Sequence, residues 1–213
     1  MKCNKEAMLL YAVTDRYWTG KQSLMEQVEC ALKGGATCIQ LREKELDPQL
    51  FLEEAIEMKQ LCHQYHVPFI IDDNVSIAIQ CQADGIHVGQ SDMKAEEVRK
   101  QVGEQMILGV SAQTVKQARE AVQAGADYLG VGAVFSTTTK LDADDVSHDT
   151  LKQICEAVDI PVVAIGGINK DNLLQLKGSG VDGVALVSAI FSAEDIEQEC
   201  RTLKELSAQM IRP

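Results

Sequence analysis

At 213 residues the chain is long enough for one substantial core and short for two, given domains of roughly 100–200 residues, so one domain over residues 1–213 is expected. The formal net charge is −12 and no Lys/Arg run exceeds two residues, which excludes the electrostatic footprint of a nucleic-acid binder. No apolar stretch approaches transmembrane length, and the N-terminus leads into a strand-like run without a signal-type segment, so a cytoplasmic protein without a membrane partner is expected.

In chain order, short β-branched runs at 9–15, 38–42, 68–72, 85–89, 107–111, 128–134, 161–165 and 183–187 read as strands. Helical patterns fall between or after them at 24–33, 48–65, 95–102, 115–124, 149–158, 170–177 and 193–208. Turns of related composition approach many strands: Gly34-Gly35-Ala36-Thr37, Ala83-Asp84, Gly125-Ala126-Asp127 and Gly180-Val181-Asp182. Alternating β and α units imply a parallel sheet with right-handed crossovers. Eight units favour a closed (β/α)8 TIM barrel, here more compact than the usual ~250 residues. A Rossmann sheet is disfavoured because no G-x-G-x-x-G follows the first strand.

The seven cysteines are scattered, odd in number and without a C-x-x-C pair, which disfavours a zinc site and a disulfide framework. His63 and His66 stand at i, i+3 without a third ligand nearby in sequence, and a solvated helix face explains them better than a metal.

In a barrel of this kind the active site is built at the C-terminal ends of the strands, and polar residues gather there. Gln40, Arg42 and Lys44 stand at i, i+2 and i+4 where the second strand meets a loop, and strand alternation places an amide and two cations on one side, suited to a planar polar group beside a phosphate. Asp73 and Asp92 follow the neighbouring third and fourth strands. Two carboxylates brought together repel unless a cation lies between them, and oxygen ligands favour Mg²⁺, completed by water and substrate phosphates. The plainer reading makes Asp92 the cap of the helix at 95 and Asp73 a turn residue.

Ser136 to Lys140, after the sixth strand, offers hydroxyls and one ammonium suited to phosphate oxygens. The acidic stretch 141–145 beyond it reads as a solvated lid. Gly166-Gly167 and Val187-Ser188, after the seventh and eighth strands, fit the backbone phosphate site often found there. Two separated phosphate-favourable zones predict two phosphorylated small-molecule substrates.

The segments Tyr11 to Asp15, Gly34-Gly35-Ala36 with Gln40 to Lys44, Ala83 to Gln90 with Asp92, Gly109 to Ala112, Gly125 through Lys140, and Val163 to Ile168 occur together and in order. In them the chain resembles the thiamine phosphate synthases along nearly its whole length. The resemblance implies a Mg²⁺-dependent transferase that joins hydroxymethylpyrimidine diphosphate to a thiazole phosphate, giving thiamine monophosphate and pyrophosphate by a dissociative displacement. It implies that Gln40 holds the pyrimidine, while Arg42, Lys44, Ser111 and Lys140 hold the pyrophosphate. By the same resemblance Asp73 and Asp92 ligate Mg²⁺, and Thr137, Thr139, Gly167, Val187 and Ser188 surround the thiazole phosphate. Arg42, Lys140 and Ser111 are then the catalytic residues, with no general base, because departure of a polyanion needs charge neutralisation and positioning.

Two positions depart from the family pattern. Asp72-Asp73 stands where Asn-Asp is usual, so a carboxylate replaces an amide beside the diphosphate, with Asn74 a candidate for the amide role. Asp144-Asp145 stands where prolines are usual. Two other readings stay open: a thiazole tautomerase-like isomerase with His87 as its acid/base group, and a non-catalytic phosphate-binding barrel. Oligomeric state is not legible, and a homo-oligomer is compatible with the chain.

Overall fold

The computed structural model describes residues 3–20, 22–136 and 146–212. Eight parallel strands close into a barrel in sequential order: β1 (Leu10–Val13), β2 (Cys38–Leu41), β3 (Phe69–Asp72), β4 (Gly85–Val88), β5 (Ile107–Ala112), β6 (Tyr128–Val131), β7 (Val162–Ile165) and β8 (Gly183–Leu186). The surrounding helices are α1 (Leu24–Lys33), α2 (Pro48–Gln64), α3 (Val75–Gln80), α4 (Ala95–Val102), α5 (Val115–Gln123), α6 (His148–Ala157), α7 (Ser188–Phe191) and α8 (Ile196–Met210). This is the (β/α)8 TIM barrel that the alternating pattern predicts.

Strand alternation sorts the core into two shells. Tyr11, Val13, Cys38, Ile70, Ile107, Tyr128, Val163 and Ala185 fill the barrel interior, with Met8 of the 3-10 turn Glu6–Met8 packed against them. The intervening residues, among them Leu10, Ile39, Ile71, Ile86, Leu108, Leu129 and Val184, pack outward with helix residues such as Val28, Ala55, Met58, Ala118, Leu151 and Leu203. Truncating one of these fully buried aliphatic side chains to alanine would cost about 2–5 kcal/mol.

The recurrent turns have a structural cause at the N-terminal rim. In each odd–even strand pair, the side chain just before the even strand accepts a backbone N–H at the start of the odd strand. Thr37 Oγ1 takes Leu10 N, Asp84 Oδ2 takes Phe69 N, Asp127 Oδ2 takes Leu108 N and Asp182 Oδ2 takes Val162 N, all at 2.8–2.9 Å. Each of the three aspartates is also paired, with His63 at 2.9 Å, Arg99 at 2.6 Å and Lys5 at 2.8 Å.

Several elements depart from the expected bounds. The 170–177 helix is only a 3-10 turn, Leu173–Leu176, because Asn169 and Asn172 bond to nearby backbone N–H groups at 2.9 and 2.8 Å and compete with helix formation. The unforeseen α3 follows β3 almost directly. Its Val-Ser-Ile-Ala-Ile run lacks helical periodicity over six residues, yet Asn74 Oδ1 caps it by accepting from Ile77 N at 3.0 Å. The last helix begins at Ile196, capped by Asp195, and the sixth strand stops at Val131 because residues 134 and 135 turn to bond the end of β7.

Candidate active site

Parallel closure sends the C-terminal ends of all eight strands to one rim, and the side chains singled out from the sequence collect there. Gln40, on β2, points into the barrel, where its Nε2 donates to Tyr11 Oη at 2.8 Å. The strand ends at Leu41, so Arg42 and Lys44 stand on the following loop, not on one strand face with Gln40. They converge all the same. Arg42 N donates to the fully buried Thr14 Oγ1 at 3.0 Å, and between the two cations Glu43 turns away to grip Arg16, which also binds Glu54 at 2.6 Å. This network, which periodicity could not reveal, anchors the cation-bearing loop to the 3-10 turn Arg16–Trp18 and to α2.

The cations meet the acids that follow β3. Lys44 Nζ bonds Asp73 and lies 3.1 Å from Asp72, while Arg42 Nε stands 3.7 Å from Asp72. Burial raises the Asp72 carboxyl above its ordinary range, Lys44 and Arg42 oppose that, and the charge of Asp92 adds to it. Asp73 is raised by burial as well, opposed by its bond to Lys44 and pushed further by Asp72 and Asp92. Burial pulls the Lys44 ammonium down, but its contacts with Asp73 and Asp72 outweigh this and leave it raised. Asp73 sits at φ 51°, in the left-handed region, with its N–H held by His87 O at 2.8 Å; a short polar side chain tolerates that conformation.

Asp92 is not the cap of α4, a position held by Lys94. Its Oδ2 instead accepts from Gly89 N at 2.7 Å, which closes the turn after β4. Asn74 caps α3 through its Oδ1 and follows the end of β3 at Asp72, so the two do not share a strand face. Ser111, on β5, meets His87 Nε2 at 2.9 Å, and its carbonyl receives Gln90 Nε2 at 2.6 Å.

On the opposite side of the barrel, Gly166 and Gly167 have φ of 98° and 64°. A Cβ on Gly167 would lie 2.4 Å from Ser136 O and one on Gly166 2.5 Å from Ala133 Cβ, so both glycines are demanded by contact with the loop after β6. Val187 and Ser188 open the four-residue α7 beside them. Thr137, Thr139, Lys140 and the acidic stretch 141–145 lie outside the described residues.

Among the described residues no three His, Cys, Asp or Glu groups form a metal cage. Two carboxylates after adjacent strands, electrostatically coupled and balanced by one ammonium, nevertheless fit a hard divalent ion that takes one or two protein carboxylates and fills its shell with water and phosphate.

Fold and rim together define a (β/α)8 barrel whose C-terminal rim brings crowded carboxylates against cations. The family model described as "Thiamine monophosphate synthase" matches residues 10–190. The thiamine-phosphate synthase of Ruminiclostridium cellulolyticum is 51% identical over 197 residues, covering 92% of this chain and 94% of that protein. That of Clostridioides difficile is 49% identical over 195 residues, covering 92% and 93%. A solved thiamine phosphate pyrophosphorylase from Pyrococcus furiosus superposes with a TM-score of 0.90 at 38% identity, covering 98% of this chain and 99% of that one. The chain belongs to the thiamine monophosphate synthase family, and it is a transferase with thiamine phosphate synthase activity.

Proposed function

We propose that this rim forms thiamine monophosphate by breaking the C–O bond between a pyrimidine methylene and diphosphate and then forming a C–N bond to the nitrogen of a thiazole phosphate. The observation that carries the reading is the meeting of Arg42 and Lys44 with Asp72 and Asp73 at the ends of β2 and β3. Gln40 holds the pyrimidine. Arg42, Lys44, Ser111 and Lys140 receive the departing diphosphate, and Asp72, partly neutralised by both rim cations, lies at its edge. Thiazole phosphate takes the far side, at Gly167, Val187 and Ser188 with Thr137 and Thr139.

Asp73 and Asp92 would hold Mg²⁺. When bound, that ion supplies positive charge to the leaving diphosphate. The protein's own contribution is orientation and charge: guanidinium and ammonium groups aimed where negative charge develops lower the barrier without a protein nucleophile or base. Both ring nitrogens of His87 have hydrogen-bonding partners, which favours an interior positioning role over the acid/base role of an isomerase. We read the chain as one cytoplasmic domain; no described helix is long and apolar enough to cross a membrane.

Pyrophosphate release measured with purified protein should require both phosphorylated substrates and Mg²⁺. Arg42→Ala and Lys140→Ala should each lower turnover by ~10²-fold while the circular dichroism spectrum stays unchanged. Near-normal rates for both variants would remove these assignments.

A further inference from the structure

Five side chains cross the barrel interior as an unbroken hydrogen-bonded chain, and its two ends are residues of the proposed site. Gln40 Nε2 donates to Tyr11 Oη at 2.8 Å, and Tyr11 Oη and Tyr128 Oη are 2.8 Å apart. Tyr128 Oη lies 3.0 Å from His87 Nδ1, and His87 Nε2 lies 2.9 Å from Ser111 Oγ. Tyr11 and Tyr128 are only 1% and 0% exposed, so neither can touch a substrate.

Room for the chain is built into the neighbouring strands. A Cβ on Gly109 would fall 2.2 Å from Tyr128 Cζ and 2.3 Å from its hydroxyl oxygen, and one on Gly130 would fall 3.1 Å from His87 Cε1. Two strand glycines thus keep open the volume that the phenol and imidazole occupy.

One direction keeps both phenol donors engaged within the chain. An amide nitrogen can only donate, so Tyr11 accepts from Gln40. Burial holds both phenols well above the ordinary tyrosine value, so each keeps its single proton. With Tyr11 accepting from Gln40, the arrangement that uses every phenol proton inside the chain has Tyr11 donating to Tyr128 and Tyr128 donating to His87 Nδ1. In that arrangement the imidazole proton lies on Nε2 and faces Ser111 Oγ. Accepting that bond, the serine has its own proton left to give. At the other end, one Gln40 N–H is committed to Tyr11, leaving the second N–H and Oε1 for a ligand.

We propose that Tyr11 and Tyr128 are positioning residues that set the donor and acceptor sense at both ends of the site: Ser111 as a donor to diphosphate, and Gln40 as a fixed donor–acceptor pair for the pyrimidine. The inference rests on the ligand roles given above to Gln40 and Ser111, whereas the direction of the chain does not.

The test combines imidazole ¹⁵N NMR with kinetics. In the wild-type protein the His87 resonance, assigned by its loss in His87→Asn, should show Nε2 protonated and Nδ1 bare. In Tyr128→Phe, which removes the donor to Nδ1, the protonation should move toward Nδ1. Turnover should then fall by at least ~10-fold with KM for thiazole phosphate unchanged. Tyr11→Phe, which removes the acceptor for Gln40, should instead raise KM for the pyrimidine diphosphate by ~10-fold.

A wild-type imidazole protonated on Nδ1 overturns the proposal whatever the tyrosine variants do. So does a folded Tyr128→Phe with unchanged tautomer and turnover. Absence of pyrophosphate release from the wild-type protein would instead overturn the assigned ligand roles, and the NMR measurement would still decide the direction of the chain.

Discussion

The two rims of the barrel treat the same residue type in opposite ways. At the N-terminal rim Asp84, Asp127 and Asp182 each accept a strand N–H and pair with a basic side chain. At the C-terminal rim Asp72 and Asp73 share Lys44, feel Asp92 and are pushed toward the protonated form. One rim spends its carboxylates on closing the sheet, and the other leaves them crowded against one another and two cations. Charge placed where it does not stabilise the free protein is the mark of a site awaiting a partner.

The comparison breaks most visibly if the rims are exchanged in effect. Asp73→Ala or Asp92→Ala should lower pyrophosphate release by ~10²-fold or more with little loss of thermal stability. Asp127→Ala should do the reverse. It strips Leu108 N of its acceptor and Arg99 of its carboxylate, while Arg99 keeps the Gly103, Met106 and Gly125 carbonyls. A loss of ~2–3 kcal/mol in urea unfolding is expected, with kcat unchanged in the folded fraction. Equal stability losses at the two rims would erase the distinction.

Adding Mg²⁺ should raise the melting temperature of the wild-type protein, by up to ~2.7 kcal/mol of stability at a hundredfold excess over Kd, and should leave Asp73→Ala where it was. An equal rise in both would place the ion elsewhere.

The smallest effect concerns protons. The Asp72 and Asp73 carboxyls are raised in the folded state, so the folded protein binds these protons more tightly than the unfolded chain does. Their contribution is therefore fully present below the ordinary value of 3.8 and is lost as pH rises through the raised values. Asp72→Asn escapes its share of that loss. At neutral pH the variant should melt higher than the wild-type protein, and the advantage should shrink as pH falls. Calorimetry across pH checks this, and an advantage that grows in acid would refute it.

Much of this was legible because strand period and turn chemistry act locally. The eight β-branched runs and the Gly/Ala–Asp turns foretold the barrel, and strand adjacency alone brought Asp73 near Asp92. Helix α3 and the 3-10 turn at 173–176 were missed because a single side-chain cap or a pair of Asx bonds outweighs a short apolar pattern. The second strand was carried one residue too far, onto Arg42, because period-2 spacing continues past the residue where pairing stops. Glu43 and Arg16, distant in sequence from Glu54, gave no periodic signal at all.

The sequence by itself determined the fold class and the rim on which polar residues collect, since both follow from order and spacing along the chain, and its motifs carried the family resemblance. Only the tertiary structure decided that Asn74 caps a helix, that Gly167 serves a loop contact, and that Gln40 and Ser111 are joined through two buried phenols. Those outcomes depend on which side chains from different strands meet inside a closed barrel, and strand pairing fixes that only once the chain has folded.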